Sequence, residues 1–357
     1  MNSKFKDSPE GSRIINIAAV IIIFAAIIYA KVLISQLLIA LFLSIICVQP
    51  ITWLEQKKMP RWLALIIVVL LMIIIFSGFG FVIGGALSSF SGNLSKYDET
   101  LTSISNTFIQ NLNDQGIRIP PDQISKLIQP AKILQYTASV LNTLFNMVGN
   151  TFLVFLITLF ILMEFASFAV KARAIRSESN KSIAYFSTIL KNIRHYLAIK
   201  TLLCLAVGFL IYFALLIIGV DYPLLWALIA GLMNYIPNIG SIISTIPTVL
   251  FALVQLGVGG AIWTLIATMV IHNVLGNFLE PKIMGKGLGL SPLVVLLSLL
   301  FWGFVLGMAG MFLSVPLTMT IMIILDQNEN TKWITVLLGT EENAENHLEQ
   351  KEMEGIK

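Results

Sequence analysis

Residues 62–95 read WLALIIVVLLMIIIFSGFGFVIGGALSSFSGNLS and contain no charged side chain. A helix needs roughly 20 mostly apolar residues to cross about 30 Å of hydrocarbon, so this stretch can hold a complete transmembrane helix. The rest of the 357-residue chain has the same character, because 57% of its residues are hydrophobic and only 12% are charged. An ordinary soluble domain is about one quarter charged. The sequence therefore predicts an all-α integral membrane protein.

Further uncharged intervals follow the same rule and lie at 14–30, 32–54, 133–163, 201–220, 222–279 and 287–325. The interval 222–279 is long enough for two spans, and 287–325 fits either one span with a re-entrant piece or two short spans. We therefore expect about eight transmembrane helices, with broken or re-entrant helices in the C-terminal half. The first run continues into a second apolar stretch without a small-residue cleavage pattern, which favours an uncleaved span over a signal peptide.

Basic residues accumulate at the N-terminus, after the second span and after the fourth, which places these segments and both termini on the cytoplasmic side. The predicted order is transmembrane helices 1–3 in residues 1–87, an extracytoplasmic helical segment at 88–138, transmembrane helix 4 at 139–168, a basic cytoplasmic linker helix at 169–200, a C-terminal transport core at 201–325 and a cytoplasmic polar tail at 326–357. The extracytoplasmic segment is either a cap or a spacer, and the linker either binds anionic lipid or is a solvated connector.

The densest polar interruption of the apolar runs is at residues 231–247, GLMNYIPNIGSIISTIP. Pro237 and Pro247 remove backbone donors, and the carbonyls freed one turn earlier need partners in hydrocarbon. Asn234, Asn238 and Ser241 can satisfy those carbonyls, hold helices together or meet a polar solute. Because broken helices build the binding sites of many transporters, the cluster as a whole favours a functional break.

A second interruption, at residues 272–292, reads HNVLGNFLEPKIMGKGLGLSP. Glu280 is the only acidic residue of the segment 222–325. An acidic group at the end of a span is either a candidate proton or cation site, or a carboxylate that closes a turn with Lys282 or Lys286. The candidate solute- or ion-binding residues of both interruptions are Asn234, Pro237, Asn238, Ser241, Asn277 and Glu280.

A second group of residues is predicted to break helices or pack them: Gly240, Pro247, Pro281, Gly303, Gly307 and Pro316. Gly303 and Gly307 form a G-x-x-x-G step that permits close helix contact within one subunit or between copies. His272 is interpreted as a satisfied interior polar residue, since no second histidine or cysteine lies at metal-binding spacing. Neither a metal nor a cofactor is predicted.

Four of these segments together resemble the autoinducer-2 exporter family of bacterial permeases. They are residues 234–240 (NYIPNIG), 277–285 (NFLEPKIMG), 290–292 (LSP) and 307–316 (GMAGMFLSVP). Pro50 and the Pro60-Arg61 pair also match the pattern of this family. The resemblance covers nearly the whole chain up to about Leu325. One departure is Asn238, where many relatives have an aromatic or another residue. The resemblance implies an eight-span permease of the bacterial inner membrane. Some relatives are assigned export of a small polar signalling molecule, and others exchange of sodium or lithium for protons.

The leading functional hypothesis is a secondary transporter that exports a small polar solute. The alternatives are a sodium (lithium)/proton antiporter and a membrane scaffold that transports nothing. No G-x-x-x-x-G-K-[ST] run is present in the sequence, so energy would come from a gradient. An enzyme is not expected, because H-E-x-x-H is absent and the three histidines are far apart. The scarcity of intramembrane carboxylates favours a neutral solute over a cation. The expected partners are that solute or a monovalent cation or proton, membrane lipid and further copies of the chain, without nucleic acid.

Overall fold

In a computed structural model of the chain, the described residues are 24–92, 151–175, 180–284, 290–328 and 330–341, with isolated positions elsewhere. Every regular element in these ranges is a helix, which confirms the predicted all-α class. About half of the predicted first span, most of the extracytoplasmic segment 88–138 and the end of the polar tail lie outside the described residues.

Helices of very different lengths make up the described part of the chain. The first four are α1 (Lys31–Gln56), α2 (Arg61–Gly92), α3 (Thr151–Ile175) and α4 (Asn180–Ile218). A short helix α5 (Pro223–Met233) precedes α6 (Ile239–His272), a π-helical segment (Asn273–Leu279) and α7 (Glu280–Met284). The last three are α8 (Pro292–Leu306), α9 (Met308–Leu325) and α10 (Lys332–Leu338).

Five helical stretches of the described residues are long and apolar enough to cross a membrane, namely Lys31–Gln56, Arg61–Ala86, Ile189–Ile218, Ile239–Ile283 and Met308–Leu325. Three shorter apolar helices accompany them, at Phe152–Phe165, Pro223–Met233 and Pro292–Leu306. Large apolar side chains such as Phe209 and Trp263 are exposed on the long helices, as expected where lipid surrounds them. The chain is therefore a multi-span membrane protein, and the total of eight spans stays a prediction.

The chain forms two compact units. The first comprises Met1–Gln49, Leu153–Arg194 and Gly287–Lys357, and the second comprises Pro50–Phe152 and His195–Lys286. The division falls within α1 and within α4. The C-terminal part of the predicted linker and the following span therefore belong to one continuous helix.

In the second unit, α6 reverses direction at Gly257 and forms a hairpin. Gly257 has φ 76° and ψ −167°, a backbone conformation that is essentially restricted to glycine. Ser244 Oγ and His272 Nε2 lie 3.5 Å apart, although 28 residues of straight α-helix would separate them by about 42 Å. The two arms, 239–256 and 258–272, therefore lie antiparallel and side by side. We call this element the first hairpin.

The first hairpin extends along the whole apolar part of α4. Next to its turn, the Gln255 side-chain amide donates to the Gly219 carbonyl at 3.1 Å, and its carbonyl accepts from the Asp221 N–H at 2.7 Å. At its other end, Glu280 reaches Lys200 at 2.6 Å. From Lys200 to Gly219 the helix rises about 28 Å, close to the thickness of the hydrocarbon core. The second arm together with the π-helical segment up to Glu280 is thus long enough to cross the membrane.

A second hairpin, formed by α8 and α9 in the first unit, turns at Gly307, which has φ 68° and ψ −147°. Trp302 Nε1 donates to Thr318 Oγ1 across it at 3.0 Å. Gly303 faces the Met311 side chain across the hairpin, so it is a packing position. Gly307, however, is the turn itself and does not belong to a G-x-x-x-G step on one helix. The arms contain 15 and 18 residues. These lengths agree with the second of the two alternatives given for residues 287–325, namely two short spans.

Prolines do not cause these reversals. The helices continue through Pro50, Pro247 and Pro316. The break expected at Pro237 is present between α5 and α6, whereas the backbone opening expected at Pro247 is not seen. Inside a transmembrane helix a missing hydrogen bond is tolerated where other groups satisfy the freed carbonyl. Pro247 and Pro316 are both buried.

Thr318→Val is expected to lower the free energy of unfolding by about 1 kcal/mol, because the Trp302 indole N–H loses its acceptor. Thr320→Val is a matched control, since the Thr320 hydroxyl bonds the Pro316 carbonyl one turn earlier in its own helix. Thermal unfolding of the purified variants in detergent measures the difference. Equal losses in the two variants would show that the cross-hairpin bond contributes nothing specific.

Candidate functional site

An ion pair joins α4 to the end of the first hairpin. Lys200 Nζ lies 2.6 Å from Glu280 Oε1, with the Lys200 side chain 2% exposed and that of Glu280 20% exposed. From the sequence, Lys200 was expected to be a linker residue, and Glu280 either a proton or cation site or a carboxylate that closes a turn with Lys282 or Lys286. Lys282 is instead exposed, and Lys286 lies outside the described residues. Glu280 meets a residue 80 positions earlier because the hairpin returns the chain to the start of the apolar part of α4.

The π-helical segment Asn273–Leu279 connects His272 to Glu280. A π-helix bonds residue i to i+5, so each turn holds more residues than an α-turn and the side chains that follow are rotated around the axis. Asn277, inside this segment, is exposed and donates to Asn273 Oδ1 at 2.7 Å. Such segments occur frequently at functional sites. Here the segment directs Glu280 towards α4, while Asn277 is not brought together with the other candidate residues.

The turn between α5 and α6 also contacts α4. Asn234 is buried, and its side-chain amide donates to Cys204 Sγ at 3.6 Å. The Tyr235 and Thr201 hydroxyl oxygens lie 2.7 Å apart. Because the Thr201 hydroxyl donates to the Leu197 carbonyl, the Tyr235 O–H donates to Thr201. These contacts and the ion pair form one group, the α4 polar cluster, made of Lys200, Thr201, Cys204, Asn234, Tyr235 and Glu280.

The remaining predicted residues lie at the start of the first arm or just after the hairpin. Asn238 is exposed and has φ 58° and ψ −47°, an unfavourable conformation for a residue other than glycine. Ser241 is partly buried, and its hydroxyl donates to the Asn238 carbonyl at 2.9 Å. Pro237 is partly buried, Gly240 is buried where a Cβ would overlap the Met233 carbonyl, and Pro281 is exposed in α7.

The interior of the first hairpin contains polar side chains that the sequence analysis did not select as site residues. They are Ser244 and Thr248 on the first arm and Thr264, Thr268 and His272 on the second, each 0–8% exposed. The three on the second arm recur every four residues, so they share one helix face. That recurrence, inside an otherwise apolar run, is the signal that could have identified them. Within the described part of the chain, Thr264 Oγ1 and His272 Nδ1 have no hydrogen-bond partner.

A buried charge pair at the end of membrane spans is costly to desolvate, which makes Lys200 and Glu280 candidate functional residues. In the described residues no group of three or more His, Cys, Asp or Glu side chains could hold a metal ion. The chemistry available is therefore hydrogen bonding by neutral groups together with one cation and one carboxylate. This arrangement suits the binding and release of a small solute or a proton.

Long apolar helices, two hairpins turned at glycines and a buried ion pair define a multi-span membrane protein of the transport class. The chain belongs to the AI-2E transporter family, since the family model described as AI-2E family transporter matches residues 17–330. The resemblance drawn from the sequence is thereby confirmed.

Similar proteins are known from several bacteria. The chain is 33% identical over 330 residues to the AI-2 transport protein TqsA of Escherichia coli (strain K12), covering 91% of this chain and 95% of TqsA. Two other relatives carry the name "Putative transport protein". One is YhhT of Escherichia coli (strain K12), 33% identical over 326 residues with 91% of this chain and 93% of YhhT covered. The other, from Haemophilus influenzae, is 35% identical over 337 residues, with 92% and 97% covered.

Proposed function

We propose that this protein is a secondary transporter that exports a small polar solute across the bacterial inner membrane. The observation that carries the proposal is the ion pair between Lys200 and Glu280, which ties the first hairpin to α4. Such a pair can hold the path of the solute closed. During a transport cycle the carboxylate can release the lysine and bind a proton or another cation instead. Membership of a family of transporters supports the same conclusion.

A neutral solute is the preferred cargo. The buried polar groups of the hairpin interior are hydroxyls and one imidazole, which bind donors and acceptors of a neutral molecule. A hard cation needs several oxygen ligands, usually including carboxylates, and Glu280 is the sole carboxylate of the segment 222–325. The relative TqsA is named for transport of AI-2, so AI-2 is our first candidate solute.

The proposed solute- or ion-binding residues are Asn234, Pro237, Asn238, Ser241, Asn277 and Glu280, to which we add Lys200. The Lys200–Glu280 end of the hairpin is assigned to the cytoplasmic side, because the basic segment 169–200 leads into it. Both termini are assigned to the same side, and the working protein is proposed to be a homo-oligomer. Sodium (lithium)/proton exchange is the second candidate, favoured by the one carboxylate that contacts a buried lysine.

The test is transport by the pure protein in liposomes. In one arm, vesicles are loaded with AI-2 and its efflux is measured; in the other, sodium or lithium is added and a trapped pH-sensitive dye is followed. We expect AI-2 efflux above that of empty vesicles and no dye response. The double variant Lys200→Met/Glu280→Gln should lose at least about tenfold in efflux, because both charges of the path are gone.

The two arms separate the candidate functions. A dye response without AI-2 efflux would replace solute export with cation exchange. If folded protein gave neither signal, for AI-2 or for other labelled polar metabolites, the transporter proposal would fail and a scaffold role would be favoured. Unchanged efflux in the double variant would remove Lys200 and Glu280 from the mechanism.

A further inference from the structure

His272 is a buried histidine with one free ring nitrogen. Its side chain is 8% exposed, on the second arm of the first hairpin. Nε2 lies 3.5 Å from Ser244 Oγ, and Nδ1 has no hydrogen-bond partner among the described residues. The sequence predicted a satisfied interior polar residue, but only one of the two ring nitrogens is satisfied. An imidazole nitrogen buried without a partner is costly, so a ligand for it is expected.

The hydrogen bonds of Ser244 let us assign the proton of the neutral ring to one of its two nitrogens. Ser244 has a single hydroxyl hydrogen, which it donates to the Ser241 carbonyl at 3.0 Å. Its oxygen therefore accepts from His272, and Nε2 is the protonated nitrogen of the neutral ring. Nδ1 is then the bare lone pair, the basic atom of the ring. Its natural ligand is a proton.

The surroundings of His272 link this proton to the ion pair. From α4, Lys200 lies within electrostatic range of the ring, and Tyr196 and Cys204 belong to the same group of ionisable side chains. Tyr235, in the turn between α5 and α6, interacts with this group of ionisable side chains. Glu280 follows His272 along the chain, directly after the π-helical segment. The first arm presents the neutral hydroxyl of Ser244. A charged His272 would thus face the cation of Lys200.

We propose that His272 is a proton-binding site of the transport cycle, and that its protonation releases Glu280 from Lys200. Nδ1 takes a proton from water and the ring becomes an imidazolium, with no other bond made or broken. Two buried cations that face each other repel, so the protonated cluster opens to water. Because the open arrangement then binds the proton more tightly than the closed one, lower pH favours opening. This inference rests on the proposed transport function for its role in a cycle.

The opening of the cluster can be measured without a transported solute. Cys204 is 5% exposed, lies one turn after Lys200 on α4 and contacts Asn234. The chain has two cysteines, so Cys47→Ala leaves Cys204 as the only thiol. The rate of its alkylation by N-ethylmaleimide in the full-length protein is compared with that of the same protein carrying His272→Gln, from pH 5.5 to pH 8. Intrinsic thiol reactivity cancels in the ratio of the two rates at each pH.

We expect a ratio near one at pH 8 and on the order of tenfold at pH 5.5, where the histidine-containing protein opens. His195→Gln is the matched control, because His195 lies on α4 with an exposed side chain. Compared with His272→Gln in the same way, the His195→Gln protein should show the same rise in the ratio at low pH. If His272→Gln fails to give a single gel-filtration peak, His272→Asn takes its place. A ratio that does not change with pH overturns the proposal. Since labelling and flux are measured separately, either this site or the transport function can fail alone.

Discussion

Glu280→Gln is expected to lower the free energy of unfolding by about 3 kcal/mol, because it leaves Lys200 as a buried cation without its carboxylate. For a protein of this size the loss corresponds to a fall of about 4 °C in the unfolding temperature. Lys200→Met should cost less. The Glu280 side chain that it leaves behind is 20% exposed and can be hydrated or protonated, whereas the Lys200 side chain is 2% exposed. Thermal unfolding in detergent compares the two single variants.

The double variant Lys200→Met/Glu280→Gln is expected to recover most of the stability lost in Glu280→Gln. Removing both partners of a buried ion pair leaves no unpaired charge, and an apolar replacement is often neutral. A double variant as unstable as the sum of the single variants would show that the two charges do not interact. Recovered stability without recovered transport would establish that the pair serves the mechanism rather than the fold.

The apolar runs of the sequence predicted where the helices lie, because length and hydrophobicity alone decide whether a segment can cross a membrane. They did not predict where the chain reverses. Proline was the most visible interruption, yet Pro247 and Pro316 lie inside continuous helices, and Gly257 and Gly307 make the turns. A glycine in an apolar run has no local feature that distinguishes a turn from close packing. The distinction comes from the pairing of the two arms.

The candidate site was predicted only in part. Glu280 was visible as an isolated carboxylate, but its partner Lys200 lies 80 residues away in a basic segment where any lysine could be a surface charge. Asn277 was selected for its amide inside an apolar run, and it is exposed in the π-helical segment. The four-residue recurrence on the second arm was visible in the sequence, but only the structure shows that the first arm covers this face. Contacts distant in sequence decide each of these points.

Gly257→Ala is expected to be among the most destabilising single substitutions in the first hairpin. At φ 76° and ψ −167° a Cβ adds about 1–3 kcal/mol of backbone strain. Relief of that strain would move the two arms apart. Two contacts depend on the reversal: His272 with Ser244, and Glu280 with Lys200. We therefore expect a lower unfolding temperature and faster alkylation of Cys204, as the α4 polar cluster loosens.

Gly259→Ala is the matched control, two residues further along the second arm. A Cβ there meets no atom within 4 Å, and its backbone is helical without a positive φ. Alanine at such a position changes stability little or raises it by about 0.4–1 kcal/mol through the unfolded chain. Thermal unfolding and Cys204 alkylation should therefore separate two glycines that look alike in the sequence. If both variants behaved alike, the turn at Gly257 could not be what holds Glu280 against Lys200.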